Sequence, residues 1–328
     1  MMPGPRDLTA FSGKAAAWSA AFFVSAAIQA EPYAYITNQK ANSVSIVDTA
    51  RASVIKTLQL KPGSEPAGVA VSHDGSRIVI ANPTSKTVTV IDGRSQEIIA
   101  DIPVGTGPVG IAIDARGEFA YSADWYEHYL AAIDLKSGTV AARIPVGHSP
   151  AGVVLNKDNT KLYVANRDDN TISEIDVKDR AVRRTVSVGR HPFGILLSED
   201  EKSIYSANVE SNDVSEVDAV HMQFVRNIKV GERPYAVAAA QGRIFVTAQY
   251  DNLLSVINAK AWKLEANVPV GEYPEGIATH PDGKHVYVAN WFTNNVSVVD
   301  ADTLRVVATI PTGNGSRAFG EFIGPAPK

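Results

Sequence analysis

Short runs of alternating apolar and polar residues make up most of the chain, and turn-forming residues separate them. In the run "NVSVVD" (295–300), Val296 and Val298 fall on one face of an extended strand and Ser297 falls on the other. The neighbouring runs "GIATH", "HVYVAN" and "RVVATI" are equally rich in Val, Ile, Tyr and Ala, with Asp-Gly, Asn and Gly-Pro punctuation nearby. Such runs at intervals of about ten residues predict short antiparallel strands joined by tight turns.

This group of four runs recurs seven times. Its second run ends in a tetrapeptide found as YITN (35–38), VIAN (79–82), YSAD (121–124), YVAN (163–166), YSAN (205–208), FVTA (245–248) and YVAN (287–290). A second marker, G-x-x-P-x-G or a variant of it, begins at Gly63, Gly105, Gly147, Gly189, Gly231, Gly271 and Gly313. The spacing of this marker is 42 residues, with one interval of 40. A four-stranded unit with this period is typical of propeller blades.

The repeat therefore predicts an all-β fold, a seven-bladed β-propeller with four-stranded blades, as one domain over residues 31–328. The repeats begin at a second strand, "AYITN", and end with "SRAFGEFIG", which has the character of an innermost strand without its own blade. We expect this C-terminal strand to complete blade one and close the ring, because closure removes the exposed strand edges that invite aggregation.

The first thirty residues have the features of a cleaved export signal. Arg6 and Lys14 precede the apolar run "AAAWSAAFFVSAA", and small residues follow it at Ala27 and Ala30. The run is shorter than the roughly 20 residues of a membrane-spanning helix, so we expect cleavage after one of these alanines and no membrane insertion afterwards. The sequence predicts a periplasmic or secreted protein.

Composition removes several functional classes. The chain has 45% hydrophobic and 20% charged residues and a net charge of −4 without a block of like charge, so nothing marks it as a nucleic-acid binder. It contains no cysteine, which excludes disulfides, a thiol nucleophile, iron–sulfur ligation and covalent c-type haem attachment.

The Y-V-x-N strand, the following V-S-V-I-D-type strand and the G-x-x-P-x-G connection resemble those of the bacterial YVTN-type seven-bladed β-propeller family. The resemblance covers residues 31–324 and implies a secreted or periplasmic propeller. Most members of that family have no assigned activity, and it borders the propellers of denitrifying bacteria that carry haem d1. The resemblance therefore implies a fold but identifies no cofactor and no reaction.

The residues that recur in every blade are expected to be structural. An Asp or Asn follows each tetrapeptide by ten residues, and such side chains commonly bond to backbone groups at turns. The glycines and prolines of the second marker permit a tight crossing from one blade to the next. Function is expected where the repeats differ from one another.

The variable positions gather in the loops between second and third strands and in the crossings between blades, which share one face of a propeller. The position before each innermost strand forms a ring at the channel mouth: Ala67, Val109, Ala151, Phe193, Tyr235, Glu275 and Arg317. Aromatic and charged residues in a concave mouth favour a site for a small molecule or a periplasmic partner protein. The predicted binding residues are Trp125, His128, His148, Arg190, His191, Phe193, Arg233, Tyr235, Tyr250, Tyr273, Glu275, Trp291 and Arg317.

Two other hypotheses remain open. A metal or haem-type carrier working with a redox enzyme would use His148 or His191, although no pair of ligands has the close spacing of a zinc site. A lyase or hydrolase would use a His/Arg/Glu site at the channel mouth, although the chain has no G-x-S-x-G motif. The lack of a catalytic constellation favours a non-catalytic binding protein.

Glu275 and Arg317 occupy the same ring position on adjacent blades, so we expect their side chains to interact. Two interpretations follow from this. The pair either belongs to a ligand site, together with Arg233 and Tyr235, or it locks the closing blade.

Overall fold

The computed structural model describes residues 32–326 together with Met1 and Gly4. Within 32–326 there are seven four-stranded antiparallel sheets and no helix. The sheets form a ring in which the innermost strand of each blade packs against those of its neighbours. This confirms the predicted seven-bladed β-propeller. The predicted export signal, residues 1–30, lies almost entirely outside the described residues and stays a prediction.

Four strands make up each blade, from the central channel to the outer surface. Strands are given from the innermost outward, and blade one consists of β28 (Ile323–Gly324), β1 (Tyr33–Asn38), β2 (Ser43–Asp48) and β3 (Ser53–Gln59). Blade two consists of β4 (Val69–Val71), β5 (Arg77–Asn82), β6 (Thr87–Asp92) and β7 (Glu97–Pro103). Blade three consists of β8 (Pro108–Ile113), β9 (Phe119–Asp124), β10 (Tyr129–Asp134) and β11 (Thr139–Pro145). Blades four and five consist of β12 (Pro150–Leu155), β13 (Lys161–Asn166), β14 (Thr171–Asp176) and β15 (Ala181–Ser187); and β16 (Pro192–Leu197), β17 (Ser203–Asn208), β18 (Asp213–Asp218) and β19 (Gln223–Lys229). Blades six and seven consist of β20 (Pro234–Ala240), β21 (Arg243–Ala248), β22 (Leu253–Asn258) and β23 (Lys263–Pro269); and β24 (Pro274–Thr279), β25 (His285–Asn290), β26 (Asn295–Asp300) and β27 (Arg305–Pro311).

Burial differs between the middle and outer strands of each blade. The second and third strands are covered on both faces by the adjacent blades, so β26 buries Ser297 as well as Val296 and Val298. The Ser297 hydroxyl is satisfied there because it accepts a bond from Asn290 Nδ2 at 2.9 Å. The outermost strands are much more exposed, and in β11 exposed and covered residues alternate, as in a strand with one solvent face.

The C-terminal segment closes the ring through blade one. Backbone bonds join Tyr35 N to Phe322 O at 2.8 Å and Arg317 N to Thr37 O at 2.8 Å, and β28 pairs with the start of β1. Phe322 is fully buried in the core of blade one. The predicted closure is therefore confirmed, with a regular strand of only two residues and two isolated bridges before it, Asn38 to Ser316 and Gly68 to Phe319.

The recurring Asn and Asp residues hold the blades together, as predicted. At the end of β13, Asn166 donates to Thr171 and Ser173 on the adjacent strand and accepts the N–H of Gly147 from the preceding crossing at 3.0 Å. At the end of β10, Asp134 accepts backbone N–H groups of Lys136 and Ser137. Each side chain satisfies backbone groups that a turn leaves free.

The second glycine of the G-x-x-P-x-G marker has a role that the repeat did not reveal. A Cβ atom on Gly110 would lie 1.9 Å from the carbonyl oxygen of Ala151 in the next blade, and one on Gly276 would lie 1.9 Å from that of Ala318. These glycines let neighbouring innermost strands approach closely around the channel. They serve blade packing as well as the crossing itself.

Candidate ligand-binding site

Aromatic rings from opposite sides of the propeller meet in the central channel. Phe193 of blade five lies 4.3 Å from Tyr235 of blade six and 4.9 Å from Phe319, which comes from the closing segment of blade one (distances between ring centroids). All three side chains are buried. The rings form an aromatic plug between a cavity at the loop face and a second cavity at the opposite end.

The second cavity is the larger, at about 710 Å³, but most of its wall is apolar. It is lined mostly by apolar residues and glycines of the innermost strands, and its polar residues are His73, Glu199, Gln241, Thr279, His280 and Glu321. No arginine, lysine, tryptophan or tyrosine of the described chain lines it. We therefore place the candidate site in the smaller cavity, where charged and aromatic groups converge, because polar convergence distinguishes a binding site better than volume does.

The loop-face cavity has a volume of about 250 Å³. It contains seven of the predicted binding residues: Trp125, Phe193, Arg233, Tyr235, Tyr273, Glu275 and Arg317. Three further residues complete its wall: Arg167, Val209 and Gln249. The structure thus brings together the large ring positions that the sequence singled out, in one sector running from blade three round to the closing segment.

Glu275 and Arg317 form an ion pair at the base of this sector. Arg317 Nε lies 2.9 Å from Glu275 Oε2, without the alignment of a hydrogen bond, and the two side chains are 19% and 7% exposed. Arg317 Nη2 donates to the Tyr235 hydroxyl at 2.6 Å, and Gln249 Nε2 donates to Glu275 Oε1 at 3.2 Å. The expected interaction is present, and it links blade seven to the closing segment.

Burial changes the pKa values of two groups in this cluster. It raises the pKa of the Tyr235 hydroxyl above its ordinary value, although the Arg317 charge opposes the effect. Burial likewise raises the pKa of the Glu275 carboxyl, again against the charge of Arg317. The cation beside Glu275 is therefore what makes an ionised carboxylate tolerable at this depth.

A second layer of aromatic residues surrounds Tyr273 above the cavity. Tyr273 lies 6.0 Å from Tyr250, 5.9 Å from Trp291 and 5.2 Å from Phe292 between ring centroids. Trp291 also donates from Nε1 to the side-chain oxygen of Gln39 at 3.0 Å. Tyr250 and Trp291, both predicted as binding residues, therefore support Tyr273 and do not line the cavity.

His128 has a structural contact at its turn. In five crossings an Asn oxygen accepts the backbone N–H of the residue preceding the innermost strand or its Pro, for example Asn170 for His191 and Asn212 for Arg233. In blade three His128 replaces that Asn, and its Nδ1 accepts the Ser149 N–H at 3.2 Å. It has the same left-handed backbone, with φ of 58° against 56° for Asn170.

The other histidines of this face have separate carboxylate partners and do not line the cavity. His148 Nδ1 lies 2.7 Å from Asp169, and His191 Nε2 lies 3.3 Å from Glu210. Arg190 is exposed beside His191. The geometry does not bring the two predicted metal candidates, His148 and His191, to a shared site with a third ligand, and both remain candidates from sequence alone.

Within residues 32–326, one group of three potential metal ligands converges, namely His280, Asp282 and His285, on the face opposite the loop-face cavity. Hydrogen bonds already occupy these atoms. The His280 Nδ1 accepts the Asp282 N–H at 3.2 Å, and Asp282 lies 2.6 Å from His285 Nδ1. The group fits the turn between β24 and β25, whose Asp caps the backbone as Asp74 does in blade two.

We expect Asp282→Asn to lower the free energy of unfolding by about 1 kcal/mol at pH 7. Partial burial alone would raise the pKa of Asp282, but N–H groups of Lys284 and His285, the His285 ring and the charge of His280 lower it from 3.8 to about 2. A shift of this size corresponds to roughly 2 kcal/mol, which we reduce because the side chain is 32% exposed.

The contribution of Asp282 should depend on pH in a defined direction. A lowered pKa in the folded state stabilises the protein above the unfolded value of 3.8, and this stabilisation is lost as the pH falls through about 2. Urea titrations of both proteins at pH 7, 4 and 2 should show a gap that narrows toward pH 2. An equal gap at all three values would contradict the assignment.

The three cavity residues absent from the sequence prediction share one position. Arg167, Val209 and Gln249 each follow the tetrapeptide that ends the second strand of a blade, as Trp125 does. The sequence feature that could have identified them is their shared position as the first residue of the loop between the second and third strands. Trp125 was noticed because it is bulky, whereas the other three resemble ordinary loop variation. Phe319 was missed because it follows the ring position by two residues.

Comparisons with known proteins agree with this architecture. A family model described as a YNCE-like beta-propeller matches residues 12–117. The chain is a β-propeller. No curated protein sequence matches it significantly.

Three solved structures share the fold. Hydrazine synthase of Kuenenia stuttgartiensis is 23% identical, with a TM-score of 0.70 over 78% of this chain and 89% of that one. A protein of unknown function from Desulfotomaculum acetoxidans DSM 771 is 13% identical, with a TM-score of 0.73 over 88% and 99%. Dihydro-heme d1 dehydrogenase NirN in complex with DHE is 15% identical, with a TM-score of 0.67 over 85% and 63%. At these identities the likeness concerns the fold.

The described residues contain no helix with the length and hydropathy of a membrane span.

Proposed function

We propose that this protein is an exported, non-catalytic propeller of the YVTN type that binds a small molecule in its loop-face cavity. The observation that carries the proposal is the convergence, in one cavity of about 250 Å³, of aromatic walls with the side chains of Arg167, Arg233, Arg317 and Glu275. Concave sites with apolar walls and a few convergent polar groups are the usual form of small-molecule sites. Export rests on the predicted signal peptide.

A small molecule is favoured over a partner protein by the position of these groups. Phe193, Tyr235 and Glu275 lie at the bottom of a recess and are buried, so a flat protein surface would not reach them. The exposed aromatic residues, Tyr250 and Phe292, stand at the rim. A partner protein would meet that rim first, whereas a small ligand would use the recess.

The hypothesis of a haem-type carrier is weakened by the size of the recess. Sites for drug-sized ligands have volumes of roughly 300–1,000 Å³, and the loop-face cavity is smaller. His148 and His191 also pair with separate carboxylates, Asp169 and Glu210, outside the recess. A lyase or hydrolase of the predicted His/Arg/Glu type would need a histidine beside the cavity arginines and Glu275, and none of His128, His148 and His191 lines the cavity.

The proposal is tested on protein purified from its native host. We expect denaturation to release a stoichiometric small molecule detectable by mass spectrometry, with no visible absorption band and no stoichiometric metal. Gln249→Leu and Tyr273→Ala, which alter the cavity wall, should reduce the recovered amount. A Soret-type band or one bound metal ion per chain would instead support the carrier hypothesis and contradict ours.

A further inference from the structure

Arg233 is the arginine of the cavity whose guanidinium has neither a carboxylate partner nor a hydrogen-bond acceptor among the described residues. Of the three cavity arginines, Arg317 pairs with Glu275 and Tyr235, and Arg167 pairs with Asp168. Within the described part of the chain, the Arg233 guanidinium makes no hydrogen bond and no ion pair, and its Nε is buried. Its side chain lies over the Tyr250 ring, whose centroid is 5.3 Å from the guanidinium carbon.

The backbone holds this side chain in place. Arg233 has φ of 55°, its N–H donates to Asn212 Oδ1 at 3.0 Å, and Pro234 follows it. The left-handed region is unfavourable for a non-glycine residue, and the equivalent crossing into blade one has Gly315 with φ of 77°. The same left-handed turn occurs at Glu65, His191 and Tyr273, so it belongs to the repeat, and in blade six it presents a guanidinium to the cavity.

An unpaired guanidinium in a recess calls for an anionic acceptor. Leaving a buried donor without an acceptor is unfavourable, and a planar guanidinium is matched by a carboxylate with two parallel N–H···O bonds. Because only one arginine of the cavity has no anionic partner, a ligand with a single negative charge would neutralise it. A dianion such as phosphate would place its second charge near Glu275, which favours a monoanion.

The aromatic wall and the volume of the cavity indicate the nature of the rest of the ligand. Phe193 and Tyr235 form a floor of two rings inclined at 31°, and Trp125 lies 5.8 Å from Phe193 between centroids. Aromatic faces at these separations accept a further ring in an offset or edge arrangement. A volume of about 250 Å³ suits a compact molecule of one or two rings.

We propose that the loop-face cavity binds a small aromatic monocarboxylate, with the carboxylate on Arg233 and the ring on the floor formed by Phe193 and Tyr235. This inference rests on the proposed function and gives it a chemical class. Arg317 remains paired with Glu275 and shapes the floor, so the discrimination for a carboxylate falls to Arg233.

The test compares acids with their neutral amides. Binding of benzoate, phenylacetate, benzamide and phenylacetamide is measured by calorimetry at low salt for the full chain and for Arg233→Gly and Arg233→Lys. We expect each acid to bind at least tenfold more tightly than its amide. Arg233→Gly should remove that preference and leave the affinity for the amide unchanged, and Arg233→Lys should give an intermediate result.

Glycine is the appropriate replacement because the backbone at this position favours it. Arg233→Gly relieves the left-handed strain, so the melting temperature should be unchanged within a few degrees, and a loss of acid binding is then not a loss of folding. The matched control is Glu65→Gly, at the equivalent turn of the first crossing, where φ is 48° and the side chain lies outside the cavity. It should bind every probe as the parent does.

The outcomes separate the two proposals. Equal affinity for acids and amides, or retention of the acid preference in Arg233→Gly, overturns the carboxylate assignment while amide binding still supports a small-molecule site. Failure of all four probes to bind overturns the aromatic-carboxylate assignment, and recovery of a small molecule from the native protein then still decides the proposed function. Tighter acid binding that disappears in Arg233→Gly and persists in Glu65→Gly supports both.

Discussion

Deleting residues 317–328 is expected to prevent accumulation of the folded, soluble protein. The deletion removes the acceptor of the Tyr35 N–H, Phe322 O at 2.8 Å, and so frees the inner edge of blade one; it also removes the acceptor of the Val69 N–H of blade two, Phe319 O at 2.9 Å. It also removes Phe322 from the core and Arg317 from Glu275. An open edge beside an emptied core favours aggregation.

Two further variants keep this expectation open to contradiction if the truncated chain does not fold. Deleting only 325–328 leaves β28 intact and should be nearly neutral. Phe322→Ala keeps every backbone bond and should lower the free energy of unfolding by about 3–5 kcal/mol, since the ring is fully buried. Chemical denaturation measures both comparisons. A 317–328 deletion that expresses and melts like the parent would refute closure through the C-terminal segment.

Arg317→Ala is expected to lower the free energy of unfolding by about 3 kcal/mol, because removing one member of a buried pair leaves the other charge without compensation. The side chain it removes also donates to the Tyr235 hydroxyl. The backbone bond from Arg317 N to Thr37 O is unaffected by the substitution. The loss should therefore report the ion pair and not the ring closure.

A second substitution identifies the cause. Adding Glu275→Gln to Arg317→Ala removes the uncompensated charge and keeps the bond from Gln249 feasible, so the double variant should regain more than half of the lost stability. Denaturation midpoints for the four proteins form a double-mutant cycle. If the single variant is as stable as the parent, or the double variant is less stable than the single one, the pair does not lock the closing blade.

These expectations resolve part of what the sequence left open about Glu275 and Arg317. Their shared ring position was sufficient to predict contact, because symmetry-related positions on adjacent blades lie side by side. Sequence alone does not show how deeply the pair is buried, and its burial decides whether it affects stability. With Glu275 only 7% exposed, the pair contributes to stability whether or not it also meets a ligand. Arg233 is therefore the cleaner probe of binding.

The repeat made the fold predictable in detail. Seven copies supply seven independent observations of the same strands, so accidental features of one blade, such as Asp124 in place of Asn, do not obscure the pattern. The site lacks that redundancy, since it consists of departures from the repeat. Tyr273 and Arg233 were recognisable by size and charge, whereas Gln249 and Val209 carry no signal until the strands place them beside the channel.

Histidines show the opposite difficulty, in which a structural residue resembles a functional one. A histidine on a variable loop resembles a ligand or a general base, and His128 was predicted as a binding residue for that reason. In the structure its Nδ1 accepts a backbone N–H, the bond that Asn oxygens accept in the other crossings. Comparing the last loop position across blades, where five have Asn, would have indicated this role from sequence.

The central claim is that the loop-face cavity is the ligand site, and a fragment screen by ¹H–¹⁵N correlation spectroscopy tests it most directly. The library should span aromatic acids, amides, amines and neutral rings, so the result does not depend on the carboxylate assignment. Binding fragments should shift the indole signal of Trp125 and the side-chain amide of Gln249, which line the cavity. They should not move the indole of Trp262, which lies outside the cavity and donates to the Asn227 carbonyl oxygen. Hits confined to backbone signals around Ala239 and Gly283 at the opposite cavity, or no hits at all, would contradict the claim.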